Sequence, residues 1–572
     1  MRSLSGARHR PPISTLHDDQ NEFSTPKEKA DALNAFFVKQ IYFGGADRSP
    51  DLSSLSINAE DEFATLATTP ADVFRILSTL PRHKAPGLDS ITTYLLRESA
   101  SGIASSLALL FNRSFSDRRF PDAWKDALVV PVFKRGDRSL LTNYRPIALL
   151  SSVGKVCERI VYKLYHFLSP YLSAQQSGFR KHDSTSLQLL RLVQQWSEAL
   201  DDSQYVGIVF FDLRKAFDQV WHKGLLAKLH AAGVHGPALE WFKSYLCGRQ
   251  QRTRVADAVS AVSPLGAGVP QGAILSPLLF IIYVNDIFES TSASVNLFAD
   301  DTSSFVSDSS RSRLCVRLQE VVDQLTNWFD KWLLSVNVEK SAILVLRSPR
   351  SDPVDLHIEL HGSHIPQVST HRHLGLTLNN SLTWCDHTQA VIKKTAQRIG
   401  LLRRYRKRLP PLAIRQVYCS SIRPVLEYAS VVWSGIAKAC ADQLESIQRR
   451  AARLISGILP SSHLPHPVIL ARAGLPTLSS RRHVEQVVFA HKFVHGSLPN
   501  HLLDCLGHWT KTKPSRCATL RHATSIRLPR PKKAVLQRSP LYLSLSSWNA
   551  LSLDLKESPS STSLRSALNS AT

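Results

Sequence analysis

Three aspartates carry the chemistry this sequence could do. Asp300 and Asp301 stand side by side after the apolar run 295–298 and shortly before Phe305-Val306. That is the pattern of a β-hairpin with both carboxylates at its tip. Asp212 ends the run Tyr-Val-Gly-Ile-Val-Phe-Phe at 205–211, a buried strand by composition. Each aspartate alone reads as a good turn residue. If the two strands are neighbours in one sheet, the three carboxylates converge on its edge. Hard oxygen donors of this kind suit Mg²⁺, which binds through a few carboxylates and substrate phosphates. Two such ions about 3.5–4 Å apart clamp an in-line phosphoryl displacement, activating a 3′-hydroxyl and neutralising the leaving diphosphate.

The elements around them follow from pattern. Residues 127–133 are rich in Val and read as a strand running into Lys134-Arg135-Gly136-Asp137, with the return beginning at Tyr144-Arg145. A two-stranded basic finger would turn Lys134 and Arg145 toward one partner, for which a triphosphate is the candidate; taken alone, an exposed charged hairpin fits as well. Helices are expected over 26–41, after the capping pair Ser24-Thr25, and over 71–80, 153–168, 184–200 and 318–333. The apolar stretch 277–284 fits a core helix. Leu213 to Asp218 is expected to turn into a helix, Gly268 to Gly272 to be a flexible loop, and 373–378 to be a single short strand. Beyond Trp384 the pattern becomes helical and basic, and from about Cys505 basic and irregular.

At 572 residues the chain is long enough for several cores, and its 43% hydrophobic content is that of a globular protein. No apolar block follows Met1 and no run of about 20 apolar residues occurs, so neither a signal peptide nor a membrane span is expected. Eight cysteines are scattered without a C-x-x-C pair. Buried free thiols in the cytosol or nucleus are the expectation, rather than a zinc module or disulfides. The formal charge of +24 is lopsided: residues 391–572 hold 29 Lys+Arg against 7 Asp+Glu. A polyanion partner, nucleic acid above all, accounts for that concentration, and its binding would weaken with salt.

The motifs FDLRKAFDQV (211–220), GVPQGAILSPLLF (268–280) and FADD (298–301), in this order, resemble the palm motifs of reverse transcriptases. HKAPGLDSI, PVFKRG, NYRPIALLSS and QSGFR upstream, with NVEKS, HLGLTL and SLTWCDH downstream, are similar to the non-LTR, jockey-like retrotransposon class. The resemblance runs from about Pro26 to the SSWNAL segment. It implies an α+β right-hand polymerase: a linker with an N-terminal helical extension at 1–60, fingers at 61–204 with the reverse transcriptase domain starting near 115, and a ferredoxin-like palm at 205–378. A helical thumb at 379–460 and a basic C-terminal extension at 461–572 complete it.

The resemblance also implies roles. Asp212, Asp300 and Asp301 are the expected catalytic metal-binding triad for two Mg²⁺ ions, with Mn²⁺ as substitute. Phe217 is the expected steric gate against a 2′-hydroxyl, and Gln271 and Gly272 line the nucleotide and template pocket, where glycine allows close approach. Lys134 and Arg145 hold the triphosphate, and Lys340 protonates the diphosphate. Arg403, Arg404, Arg406, Lys407 and Arg408 grip the template–primer duplex by its backbone. His373 stands where the family usually has Tyr or Phe, and is expected to pack on the primer backbone. The implied activity is RNA-directed DNA synthesis from dNTPs on an RNA template and DNA primer; an idle nucleic-acid-binding remnant is the alternative. Relatives usually carry an N-terminal endonuclease. Here the chain begins in the linker that follows it, and Met1 is the only methionine. The expectation is the polymerase part of a longer element or a truncated copy, with an endonuclease in trans as the partner this calls for.

Overall fold

The architecture comes from a computed structural model that describes residues 13–18, 21–41, 49–50, 62–349, 351–459, 462–509 and 526–571. Helices and sheets combine in it, the α+β class expected, and they fall into two compact units. No helix among the described residues is long and apolar enough to cross a membrane.

The first unit comprises Met1–Phe179, Asp212–Ser290 and Leu325–Asn337. Its sheet runs in the order Tyr144–Leu149, Asp126–Phe133, Arg249–Val255, Ala258–Val259, with Ser263–Leu265 also paired to Arg249–Val255. The basic hairpin is therefore not a two-stranded finger: Asp126–Phe133 is antiparallel to Tyr144–Leu149 and parallel to Arg249–Val255. That third strand hides from a hydropathy reading because its buried face is Arg249, Gln251, Thr253 and Val255. Most of those polar groups find partners inside the fold, although Arg249 Nη2 is buried without one. Asn34 accepts from Gln251 Nε2 at 3.1 Å and from Thr253 Oγ1 at 3.0 Å, and Arg249 donates to the Tyr245 carbonyl at 2.8 Å.

Asn34 belongs to the helix Pro26–Lys39, which starts with a Thr25–Glu28 capping box and Pro in its first turn. The helix buries Ala30, Leu33 and Phe37 against the sheet, so this part of the expected linker is built into the unit. Burial of a Leu or Phe stabilises by about 1.5–3 kcal/mol each. The helix Ser276–Tyr283 is apolar on every side and buried almost throughout, as its composition requires. Residues 214–219 are turns, not the expected helix; the next helix is His222–Ala231.

The second unit comprises Arg180–Phe211, Thr291–Gln324 and Val338–Thr572. Its antiparallel sheet has the order Ala342–Leu346, Tyr205–Phe211, Asp301–Asp308, Ser294–Phe298. The inner strand Tyr205–Phe211 is a continuous apolar run because both its faces are covered. Val206, Ile208 and Phe210 join a core that includes Leu189, Leu192 and Trp196 of the helix Thr185–Asp201. Gly207 lies on the opposite face, where an added Cβ would sit 3.2 Å from Leu318. Residues 373–378 are not one strand: Thr370–His373 and Leu376–Asn379 form a hairpin turning at Leu374-Gly375, with φ +43° and +89°.

The C-terminal third is helical as expected, but its end is no irregular extension. Among the described residues, Pro540–Asn549 packs on Leu478–Val494 and on Thr185–Asp201, burying Leu541, Leu545 and Trp548. Residues 510–525, within the stretch expected to be irregular, lie outside the described residues. The seven described cysteines are free thiols, yet only Cys157 and Cys440 are buried and Cys247 is exposed, which corrects the uniformly buried set expected.

Candidate active site

Within the second unit, Asp301 pairs with Phe298, leaving Ala299-Asp300 as a two-residue turn. Ala299 takes φ +59°, the sign that a type II′ turn requires at its first central position and usually gives to Gly. An alanine there costs about 1 kcal/mol. Asp300 and Asp301 are both exposed. Asp301 opens its strand rather than sitting in the turn proper, a refinement of the hairpin tip read from sequence. The next residue, Thr302, is the register partner of Phe211. Lys340 closes a short 3₁₀ turn, Val338–Lys340, two residues before Ala342, whose partner is Phe210. Asp300, Asp301 and Lys340 thus belong to one end of this sheet.

Asp212 is the residue bonded to Phe211, and it opens a segment of the first unit. Its carbonyl accepts from the Asn337 amide at 2.8 Å, Leu213 bridges to Val336, and the Arg214 amide donates to the Ser335 carbonyl at 2.8 Å. These bonds hold the chain extended past the strand end. With Lys215 at φ +46° they override the helix propensity of Leu-Arg-Lys-Ala.

Phe217 follows in that turn, half-buried, stacked on Phe280 at 4.4 Å with Phe179 edge-on at 6.1 Å. The segment Gly268–Gly272 is fastened to it rather than flexible. The Val269 amide donates to the Phe217 carbonyl and the Gly268 amide to the Val220 carbonyl, each at 2.8 Å. Gln271 Nε2 donates to both Asp218 carboxylate oxygens at 2.8 Å, and the Gln271 carbonyl accepts from the Ala148 amide at 3.2 Å. Burial pushes the Asp218 carboxyl up to about 6, against the opposing effect of the Gln271 hydrogen bond. Gly272, at φ +114°, has no room for a Cβ, which would sit 2.8 Å from the Ala148 carbonyl oxygen. Beyond the loop, the buried Glu158 carboxylate accepts from the Ile274 and Leu275 amides, and burial raises its pKa.

Lys134 and Arg145 are both exposed in this unit. Val132 pairs with Arg145, and the Lys134 amide donates to the Asn143 carbonyl at 2.8 Å. That register sets Lys134 and Arg145 as diagonal neighbours on one face.

In the second unit, Arg403, Arg404, Lys407 and Arg408 are exposed at the end of the helix Cys385–Arg404 and just beyond it, with Arg406 half-buried among them. Arg403, Arg406 and Lys407 line a cleft of about 1160 Å³ together with Arg449, Arg450 and Arg453 of the helix Lys438–Ser456. Ile399, Leu454 and Ile458 supply its apolar lining. Arg449, Arg450 and Arg453 of the second helix belong to the basic helical pattern expected beyond Trp384, but the sequence assigns them no role in the site. Their spacing, i, i+1 and i+4, is the signal that marks them. His373 is not at a surface where a primer could lie: it is buried with its ring 5.0 Å from Phe210, and burial drives its pKa down to about 3.

Among the described residues no group of three or more His, Cys, Asp or Glu side chains is arranged to hold a metal ion. Asp300 and Asp301 are nevertheless adjacent, exposed, hard oxygen donors with no thiol or imidazole between them, a donor type that fits Mg²⁺ or Mn²⁺ rather than zinc.

Comparison with known proteins gives part of the chain a family. Residues 132–378 match the family described as reverse transcriptase (RNA-dependent DNA polymerase). The chain is 31% identical over 400 residues to a probable RNA-directed DNA polymerase from transposon BS of Drosophila melanogaster, covering 67% of this chain and 44% of that protein. It is 30% identical over 407 residues to the RNA-directed DNA polymerase from mobile element jockey of the same species, covering 68% and 44%. The jockey polymerase of Drosophila funebris is 29% identical over 437 residues, covering 72% and 47%. The chain thus spans less than half the length of these curated relatives.

Proposed function

We propose that this chain, whose residues 132–378 belong to the reverse transcriptase family and which is homologous to non-LTR, jockey-like polymerases, extends a DNA primer on an RNA template. The observation that carries the reading is the Phe298–Asp301 turn. Two exposed carboxylates stand at the end of the sheet where the inner strand stops, one peptide bond before Asp212. Asp212, Asp300 and Asp301 would hold divalent metal. When bound, that metal supplies positive charge that eases ionisation of a 3′-hydroxyl and offsets the charge of leaving diphosphate.

The chain's own groups do the rest. Lys134 and Arg145, diagonal on one face, receive the triphosphate of the incoming nucleotide. Phe217, braced by Phe280 and by its bond to Val269, presents a ring that a 2′-hydroxyl cannot pass, which selects dNTP over rNTP. Gly272 lets the loop close against the Ala148 carbonyl at φ +114°, which holds Gln271 beside it in place to line the nucleotide pocket. Lys340, exposed at the end of the sheet that carries the aspartates, protonates the diphosphate as it leaves. In this reading fingers, palm and thumb are 61–204, 205–378 and 379–460, and the arginine cleft grips the template–primer backbone.

Primer extension by the purified chain on an RNA template, with dNTPs and Mg²⁺, tests the proposal. Asp300→Asn should lower incorporation by about a hundredfold or more, the scale of losing one group that offsets developing charge, while leaving RNA affinity unchanged. Firm RNA binding with no incorporation, the same in wild type and Asp300→Asn, would overturn it in favour of a non-catalytic binding protein.

A further inference from the structure

The carboxylate of Asp218 needs a reason. It is half-buried beside the Gly268–Gly272 loop, and the Gln271 side chain donates from Nε2 to both of its oxygens at 2.8 Å. Packing alone does not call for charge there, since Asn has the same shape. Burial also disfavours the ionised form, with the pKa raised to about 6. The backbone around it is tightly built. A Cβ on Gly268 would sit 2.7 Å from the Asp218 carbonyl oxygen, and the Gly268 and Val269 amides bond to the residues on either side of Asp218-Gln219.

What a carboxylate does that an amide cannot is accept only. A side-chain amide is nearly symmetric in shape, and Gln271 facing an Asn could bond through either its NH₂ or its oxygen. Facing a carboxylate, only the NH₂ end fits, so the Gln271 oxygen must turn the other way. We propose that Asp218 is a positioning residue, which fixes the amide orientation of Gln271 so that its oxygen faces the incoming nucleotide as a hydrogen-bond acceptor. This deepens the polymerase reading and rests on it. Asp218 touches no reacting atom; it acts through Gln271, and the same turn carries Phe217, so the gate and the amide are set by one piece of backbone.

The test compares wild type, Asp218→Asn, Gln271→Ala and the double variant in single-nucleotide incorporation on a template–primer. Asp218→Asn should raise the KM for dNTP about tenfold, the scale of one charge-assisted hydrogen bond, with kcat within about twofold. In the Gln271→Ala background the Asp218→Asn change should add nothing further. A merely structural role would lower the unfolding midpoint and add fully in that background. An unchanged KM in Asp218→Asn, or full additivity, overturns the proposal. Turnover is not the sole readout. With glutamine-selective ¹⁵N labelling, the side-chain NH₂ signal assigned by its loss in Gln271→Ala should shift in Asp218→Asn, and an unmoved signal also overturns it. Wild type that fails to incorporate dNTP refutes the polymerase reading, while the NH₂ signal still decides the Asp218–Gln271 contact.

Discussion

Replacing Lys228 with Met should unfold the first unit far more readily than deleting its charge partner as well. The Lys228 side chain is 3% exposed and that of Asp286 8%, with their charged groups 2.5 Å apart. The ammonium also donates to the Tyr283 carbonyl and lies 3.5 Å from the Trp332 ring centroid, 4.7 Å from Trp328 and 4.8 Å from Tyr283. The Tyr283 hydroxyl in turn donates to the Trp332 carbonyl and accepts from the Trp221 amide. One buried cation therefore ties the end of the core helix to the tryptophans and to the start of His222–Ala231. In Lys228→Met, Asp286 is left buried without its cation, which costs about 3–5 kcal/mol. With a urea m-value of about 1–3 kcal/mol/M, the unfolding midpoint should fall by about 1–5 M. Lys228→Met/Asp286→Leu removes the orphan charge and should recover most of that, short by about 2 kcal/mol for the missing cation–aromatic attraction. A pH series adds a sign. Burial holds the Lys228 ammonium down to about 8. An unfolded lysine titrates near 10.4, so between about 8 and 10.4 the unfolded chain binds the extra proton. Stability from this site therefore rises with pH across that window, and the wild-type advantage over Lys228→Met should widen there. Urea titrations followed by tryptophan fluorescence measure all of this. A double variant as unstable as the single, or a single variant as stable as wild type, would refute the reasoning.

Two further outcomes are expected. Phe217→Ala should admit rNTPs in primer extension while dNTP incorporation persists; unaltered sugar discrimination would remove the ring from the gate, whatever its stacking on Phe280. Neutralising Arg403, Arg406 and Arg450 together should flatten the log–log salt dependence of template–primer binding by about 2–3, close to one for each phosphate no longer neutralised, and an unchanged slope would mean that the cleft does not hold phosphates.

The parts of this fold legible in sequence are those where burial and hydropathy agree. The strand at 205–211 reads from a seven-residue apolar run because both faces are covered. The hairpin at 294–308 reads from the run 295–298 and the pair Phe305-Val306 on either side of Asp-Asp, although Asn296, Thr302, Ser303 and Ser304 are buried in it. Arg249–Val255 is invisible for the opposite reason: its interior face is polar and balanced by Asn34, 217 residues away in sequence in the case of Gln251. Leu213–Asp218 misleads because its residues favour a helix locally, while Ser335 and Asn337 from a distant segment hold it extended at its start. At 370–379 a regular alternation conceals a turn, since Leu374-Gly375 continues the pattern while reversing the chain. Of the site, the identity of the aspartates is open to reading, but the fastening of Gln271 to Asp218 is not, because side-chain pairing across 53 residues leaves no local mark.

Charge is the quantity that changes most between the two levels. The excess of Lys and Arg beyond residue 390 suggests one large polyanion surface, but many of those side chains are committed inside the second unit. Arg481 pairs with Glu427 and Arg565 with Glu485, and Arg415 donates to the Ala473 and Gly474 carbonyls, closing a helix C-terminus. The Lys532 and Lys533 amides take the Asp201 carboxylate, the Lys532 ammonium takes Asp202, and the Lys533 ammonium takes the Leu200 carbonyl, so the Pro529–Lys533 basic run docks at the end of Thr185–Asp201. Formal charge counts such residues in full, whereas a phosphate backbone meets only cations that are unpaired and face a common groove. The Arg403–Lys407 and Arg449–Arg453 cluster meets the geometric condition, with Arg403, Arg406, Lys407, Arg449 and Arg450 around one cleft and Arg453, which donates to the Leu459 and Ser462 carbonyls, bracing its wall. Salt sensitivity should therefore follow that cleft and not the net charge of the C-terminal third.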